Sequence, residues 1–249
     1  MGATSIDQVI QDLEKIVQDA QQEQSTMGYF AALYLLVTKE VKSKIDQGFF
    51  DNNPRMEHLD VVFASRYLDA YNDFKAGKEV TQSWLVAFQA ATNNKLIVLQ
   101  HLLAGMNAHI NLDLGIAAAE ISSPEDIHNL EGDFNKINDI LADLVGQVEK
   151  SLSEIWPALI WLLKVFKGID NFLINFSMSL ARDGAWKFAN EYVVLDQSQR
   201  EVALIVRDQK IAALGRSVVR PGRFERFIFW IIRLGERGSV AEKIQKLLD

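Results

Sequence analysis

HLLAGMNAHINLDLGIAAAE, residues 101–120, sets two histidines, an aspartate and a glutamate among Leu, Ile, Ala, Gly, Met and Asn. A helix this apolar belongs inside a protein, and burying four ionisable groups there is costly unless each finds a partner. The stretch therefore predicts a buried central helix, about residues 94–120, that also carries a site. At about 100° per residue, His101, His109, Asp113 and Glu120 fall in one sector of about 120°, with Gly105 inside it. Asn107 and Asn111 lie on the opposite side and are expected to tie the helix to its neighbours.

Working outward, almost every segment repeats its apolar residues at the helical period, and no run alternates at period two. Helices are expected at 5–24, 27–47, 54–76, 81–91, 94–120, 124–151, 154–167, 169–192, 197–216, 222–235 and 239–248. Asn53-Pro54 and Ser123-Pro124 read as helix starts, and Pro221-Gly222 as a turn between two helices. No linker or repeat interrupts the pattern. The expected architecture is all-α: a single domain over residues 1–249, with about ten helices around the central one.

The 249 residues are 49% hydrophobic and 24% charged, ample for a core without a disulfide or metal staple. There is no cysteine, which removes thiolate chemistry and fits a reducing compartment. The N-terminus lacks the basic and apolar regions of a secretion signal. The most apolar segment, IWPALIWLLKVF (155–166), is too short to span a bilayer. A cytoplasmic protein with no transmembrane segment is expected. Net charge is −7, yet residues 200–249 hold 11 Lys/Arg against 6 Asp/Glu, leaving the rest at −12. So acidic a body argues against nucleic acid as the partner. The C-terminal arginines 216, 220, 223, 226, 233 and 237 are expected to face that acidic remainder.

His109 and Asp113 are four residues apart, so their side chains meet across one turn. That spacing suits two ligands of one metal, or a carboxylate that orients an imidazole. Gly105, one turn earlier, is expected to leave room for a ligand. On helix 54–76, Asp60 shares a face with Phe63 and Tyr67, and Glu57 lies one turn before it. Asp60, with Glu57, is expected to complete a His/carboxylate cluster able to hold one divalent metal, zinc, iron or manganese. Arg182 and Trp186, again four apart, could stack, ordering the guanidinium to receive a carboxylate or phosphate; the alternative is a structural pair of Arg182 with Asp183.

The runs HLLAGMNAHINLDLGIAAAE, FFDNNPRMEHLDVVFASRYLDAY (49–71) and ARDGAWKFA (181–189) resemble an uncharacterised bacterial protein family. Gly105-x-x-x-His109-x-x-x-Asp113 is also similar to a segment of the zinc-dependent phospholipases C and P1-type nucleases, which implies zinc on His109 and Asp113. That pattern goes on to a proline and a further histidine, where this chain has Ala117 and Ala119.

Together these readings predict an enzyme with a His/Asp polar centre (His101, His109, Asp113, Asp60) in an apolar helical pocket. Phe63, Tyr67, Gly105, Glu120, Arg182 and Trp186 would line it, and the substrate would be a lipid-like or isoprenoid-sized, hydrophobic or amphiphilic molecule. A metal would activate water; without one, His109 oriented by Asp113 would serve as general acid or base. The alternative is a non-catalytic binding protein for a hydrophobic small molecule.

Overall fold

The computed structural model describes residues 2–93, 95–157 and 178–249. Among them every regular element is a helix. The expected helix at 154–167 does not start at 154, where the preceding helix runs on to Ile155 and stops at Trp156; the rest of it, from residue 158, and the first part of that at 169–192 lie outside the described residues.

Local chemistry sets the helix starts. Ser5 accepts the Gln8 N–H at 3.3 Å and opens α1 (Ile6–Glu23); α2 (Met27–Asp46) follows after a short turn. α3 (Asn53–Lys75) begins one residue earlier than its proline suggests. Asn52, not Asn53, accepts the Arg55 N–H at 3.0 Å, and Pro54 sits in the first turn, where a missing N–H costs no helical bond. The first turn of α4 (Gln82–Ala90) is held from a distance: the Asp208 carboxylate on α9 (Gln197–Val219) accepts the Gln82 and Ser83 N–H groups at 2.7 and 2.9 Å. Ser123-Pro124 does not open a helix. The Asp126 side chain ties back to the Ser123 N–H, a 3₁₀ turn takes Ile127–Leu130, and α7 runs only from Glu131 to Ile155.

The central helix is present but not uniform. α5 (Val98–Ala108) passes through a π-helical turn, His109–Asp113, into α6 (Leu114–Glu120). There the Leu114 N–H bonds the His109 carbonyl five residues back. Such wide turns are rare and concentrate at functional sites. A side chain from another helix supports this one: Arg207 of α9 donates to the Asn111 carbonyl at 3.0 and 2.8 Å, and to Gly184 at 3.1 Å.

α2 and α3 flank the central helix, as do α8 (Met178–Val193) and α9. The expected asparagine tie forms at Asn107, which donates to the Ile211 carbonyl of α9 at 2.9 Å. Asn111 instead donates to Asn107 itself, at 3.3 Å. One large apolar core draws side chains from Ile6 to Leu247. A smaller one, Ile97, Trp156, Ile228, Phe229 and Ile232, lies under α10 (Arg223–Gly235), and α11 (Val240–Leu248) closes the chain.

α6 and α8 approach through Gly115. A Cβ there would sit 2.7 Å from the Ala185 carbonyl oxygen, which is backbone and cannot swing aside. Gly115→Ala is expected to destabilise the protein by about 1–3 kcal/mol, even though alanine is the better helix former. Denaturant unfolding of the two proteins checks this; equal midpoints would mean that the helices separate freely.

Candidate functional site

His109 begins the π turn and is 1% exposed. Aromatic rings from three helices enclose it. Phe63 of α3 lies flat on the imidazole, centroids 3.6 Å apart and planes 5° from parallel, and Tyr34 of α2 meets it edge-on at 4.5 Å. Phe30, Trp84 and Tyr67 stand 5.8–6.0 Å away. Burial pulls the His109 pKa below the ordinary imidazole value, against the opposing pull of Asp113, so the ring is neutral at neutral pH.

Asp113, 2% exposed, holds that ring in place. Its Oδ2 accepts from His109 Nδ1 at 3.2 Å and from Trp84 Nε1 at 2.8 Å, while Oδ1 accepts from Arg66 Nε at 3.1 Å. A carboxylate partner at Nδ1 assigns the proton to that nitrogen, leaving Nε2 with a free lone pair. Nε2 is buried and has no hydrogen-bond partner among the described residues.

Next to this pair is a cavity of about 260 Å³, lined by His109, Tyr34, Phe63, Arg182 and a majority of aliphatic side chains such as Leu33, Met106 and Leu144. Buried apolar voids well below this size already admit a benzene-sized guest. Three of its lining residues hold polar atoms that are buried and have no hydrogen-bond partner among the described residues: His109 Nε2, the Tyr34 hydroxyl and Arg182 Nε. Burial, with the Asp60 and Asp113 charges adding to it and the neighbouring Thr38 hydroxyl opposing it, raises the Tyr34 pKa well above its ordinary value, so the phenol keeps its proton; it makes no well-formed hydrogen bond to Thr38. Arg182 is 4% exposed and makes no ion pair among the described residues. Burial lowers its pKa to about 10, which still leaves it charged. One Nη donates to the Phe134 carbonyl, and the guanidinium sits 4.6 Å over the Phe134 ring. Phe134, not Trp186, is therefore its stacking partner; Trp186 packs on the far aromatic contact of Phe134, centroids 4.9 Å apart.

The stripe on the central helix does not converge on one chamber. His101 sits on Tyr29, 5.6 Å between centroids, and beside a separate void of about 20 Å³ that Tyr67 also lines, room for one water at most. Burial, with Lys243 and Arg233 nearby, lowers its pKa to about 4. Gly105 provides no space for a ligand: the Phe30 ring fills it, and a Cβ there would lie 2.8 Å from Phe30 Cβ. Glu120 joins the site only through Arg66, whose Nη1 is 3.5 Å from its carboxylate.

A metal centre of His109, Asp113, Asp60 and Glu57 does not form. Among the described residues no three His, Asp or Glu side chains come together as a metal requires. Both oxygens of Asp113 are taken, one by a guanidinium that would repel a cation. Asp60 is buried with Oδ2 unpartnered, and its charge is felt at Tyr34. Neither Asp60 nor Glu57 lines the His109 cavity. Sequence reasoning missed Arg66, Trp84 and Tyr34; the one available signal was that a buried Asp113 demands a cation or N–H donors from elsewhere.

The fold and site thus define an all-α protein built around a buried His–Asp pair on a π turn, beside an apolar cavity. Residues 6–221 match a family of unknown function (DUF5995), and the chain belongs to that family. No curated protein and no solved structure matches it.

Proposed function

We propose that the protein is a metal-independent acid–base enzyme acting on a lipid-like molecule with an apolar body and a polar or anionic head. The observation that carries this reading is the shared location of three buried polar atoms without a hydrogen-bond partner among the described residues, His109 Nε2, Tyr34 OH and Arg182 Nε, on the lining of one mainly apolar cavity that Glu149 also edges. Buried polar atoms without partners are few in folded proteins, and a bound molecule is one of the standard reasons for them. The apolar wall takes the hydrocarbon, and Arg182 attracts the head. His109 accepts a proton at Nε2, with Asp113 stabilising the imidazolium that results. Tyr34 donates to an oxygen on which negative charge develops. The cysteine-free sequence supports a cytoplasmic setting.

The test is mass spectrometry of a lipid extract incubated with the wild-type protein and with His109→Gln, each first checked for folding by circular dichroism. The wild type is expected to consume at least one amphiphile, and the variant to be slower by about 10²–10⁴-fold, the usual range for losing a general base. The enclosure of His109 favours a second reading, a non-catalytic carrier. An amphiphile that co-purifies with the protein yet passes unchanged through the incubation would establish the carrier and end the catalytic one. If nothing binds and nothing is consumed, both fall.

A further inference from the structure

We propose that α10 docks the protein on an anionic lipid surface, lying in the plane of the interface. This inference is independent of the His109 cavity. The helix is apolar on two sides for two reasons. Ile228, Phe229 and Ile232 face inward and pack with Ile97 and Trp156. Phe227, Trp230 and Leu234 face outward, 56%, 56% and 68% exposed. These outer three fall within a sector of about 60°, and the Phe227 and Trp230 rings stack with centroids 6.1 Å apart. A side of aromatic and aliphatic residues left in water marks an interaction surface.

The cations beside it indicate the partner. Arg220, Arg223 and Arg226 are exposed and make no ion pair among the described residues. Arg226 and Arg233 reach only backbone carbonyls, of Pro221 and Leu96, each at 3.2 Å. Between α10 and the segment around Leu96 runs an open groove of about 820 Å³, edged by several of these arginines and by Trp230. An amphipathic helix with Trp and Phe on one side and Arg at its borders has the composition of an interfacial anchor, and anionic headgroups complement its charge. Nucleic acid fits less well, because the outer side exposes Leu234 as well as the two aromatic rings, an apolar surface that a phosphate backbone does not cover. A second copy would set arginine against arginine. At 13 residues α10 lies on a bilayer without crossing it, and no helix among the described residues is long and apolar enough to cross one. α10 also falls beyond the 6–221 segment that defines the family.

The experiment is co-sedimentation of the full chain with vesicles of phosphatidylglycerol and phosphatidylcholine, against pure phosphatidylcholine, at low and high salt. Binding is expected on the mixed vesicles alone and is expected to weaken with salt. Arg223→Glu and Arg226→Glu should each reduce partitioning by about fivefold or more, the fold-change that corresponds to losing one cation at the surface. Phe227→Ser with Trp230→Ser should reduce it by at least about tenfold. All these side chains are exposed, so the variants keep the fold, which circular dichroism verifies. Three results would each overturn the proposal: no sedimentation with anionic vesicles; sedimentation indifferent to the aromatic pair; or a preference for a single-stranded RNA oligomer, or for self-association in light scattering, that the vesicles do not displace.

Discussion

Asp113→Ala is expected to lower the unfolding free energy by about 3–5 kcal/mol, the usual cost of removing one partner from a buried charged network. Three donors converge on that carboxylate: Trp84 Nε1 at 2.8 Å, Arg66 Nε at 3.1 Å and His109 Nδ1 at 3.2 Å. Alanine leaves all three without an acceptor. The Trp84 ring is wedged among Phe30, Tyr67 and Phe88 and cannot turn its N–H to water. Arg66 is only partly exposed, so its guanidinium loses a counter-charge that solvent replaces incompletely. For a chain of this length the shift amounts to a melting temperature lower by about 10 °C. Asp113→Asn keeps an acceptor but adds an N–H facing other N–H donors, and is expected to fall between the two. Arg66→Ala on top of Asp113→Ala should cost less than the sum of the single changes, because the two residues share one network. Equal stability of wild type and Asp113→Ala in urea unfolding would show that the three donors find other partners. The same substitution frees the His109 tautomer, so under the proposed function activity should fall even in the fraction that remains folded.

How much of this was readable in advance depends on where the information sits. Helix positions were legible because the 3.6-residue period and the capping chemistry are local: α3 begins within one residue of Asn53-Pro54, and Pro221-Gly222 does separate α9 from α10. The His109–Asp113 contact was legible from spacing alone, as was the arrival of Phe63 and Tyr67 near it from one side of α3. The π turn was not. A wheel drawn at a constant angle assumes an unbroken helix, and it joins His101 to His109 across a turn whose hydrogen bonds run five residues back. Gly105 misled for a different reason: a glycine declares that something approaches, but Phe30, 75 positions away in sequence, decides what. Asp60 misled likewise. It shares a side of α3 with Phe63, yet it does not line the His109 cavity, and its charge is felt at Tyr34 of α2, which nothing in α3 reveals. Partners drawn from distant helices, Arg66, Trp84 and Arg207, carry the part of the site that no single segment encodes.

Asp60→Asn is expected to stabilise the protein at pH 8, by at most about 4 kcal/mol less the cost of burying the new amide N–H groups, and to do so progressively less as the solution is acidified. The carboxyl is buried, its Oδ2 has no hydrogen-bond partner, and burial followed by the nearby Glu57 charge raises its pKa from 3.8 to about 7. The folded protein therefore holds this proton more tightly than the unfolded chain does. Between those two pKa values folding takes up a proton, so wild-type stability falls as pH rises through the window and is flat above it. At 1.36 kcal/mol per pKa unit, the full penalty is present above pH 7 and mostly gone near pH 4. The asparagine has nothing to ionise and escapes it. His101 works in the opposite direction over much of the same range: with its pKa lowered to about 4, it weakens the fold as pH falls below the ordinary imidazole value. Both proteins carry that histidine, so the difference between their urea midpoints at pH 8, 6 and 4 isolates Asp60. A variant no more stable than wild type at pH 8 would mean that the Asp60 anion is compensated, its Oδ2 satisfied after all. A difference that shrinks with acid would instead make Asp60 a carboxyl titrating near neutrality whose charge reaches Tyr34, the phenol that meets the imidazole proposed to move protons.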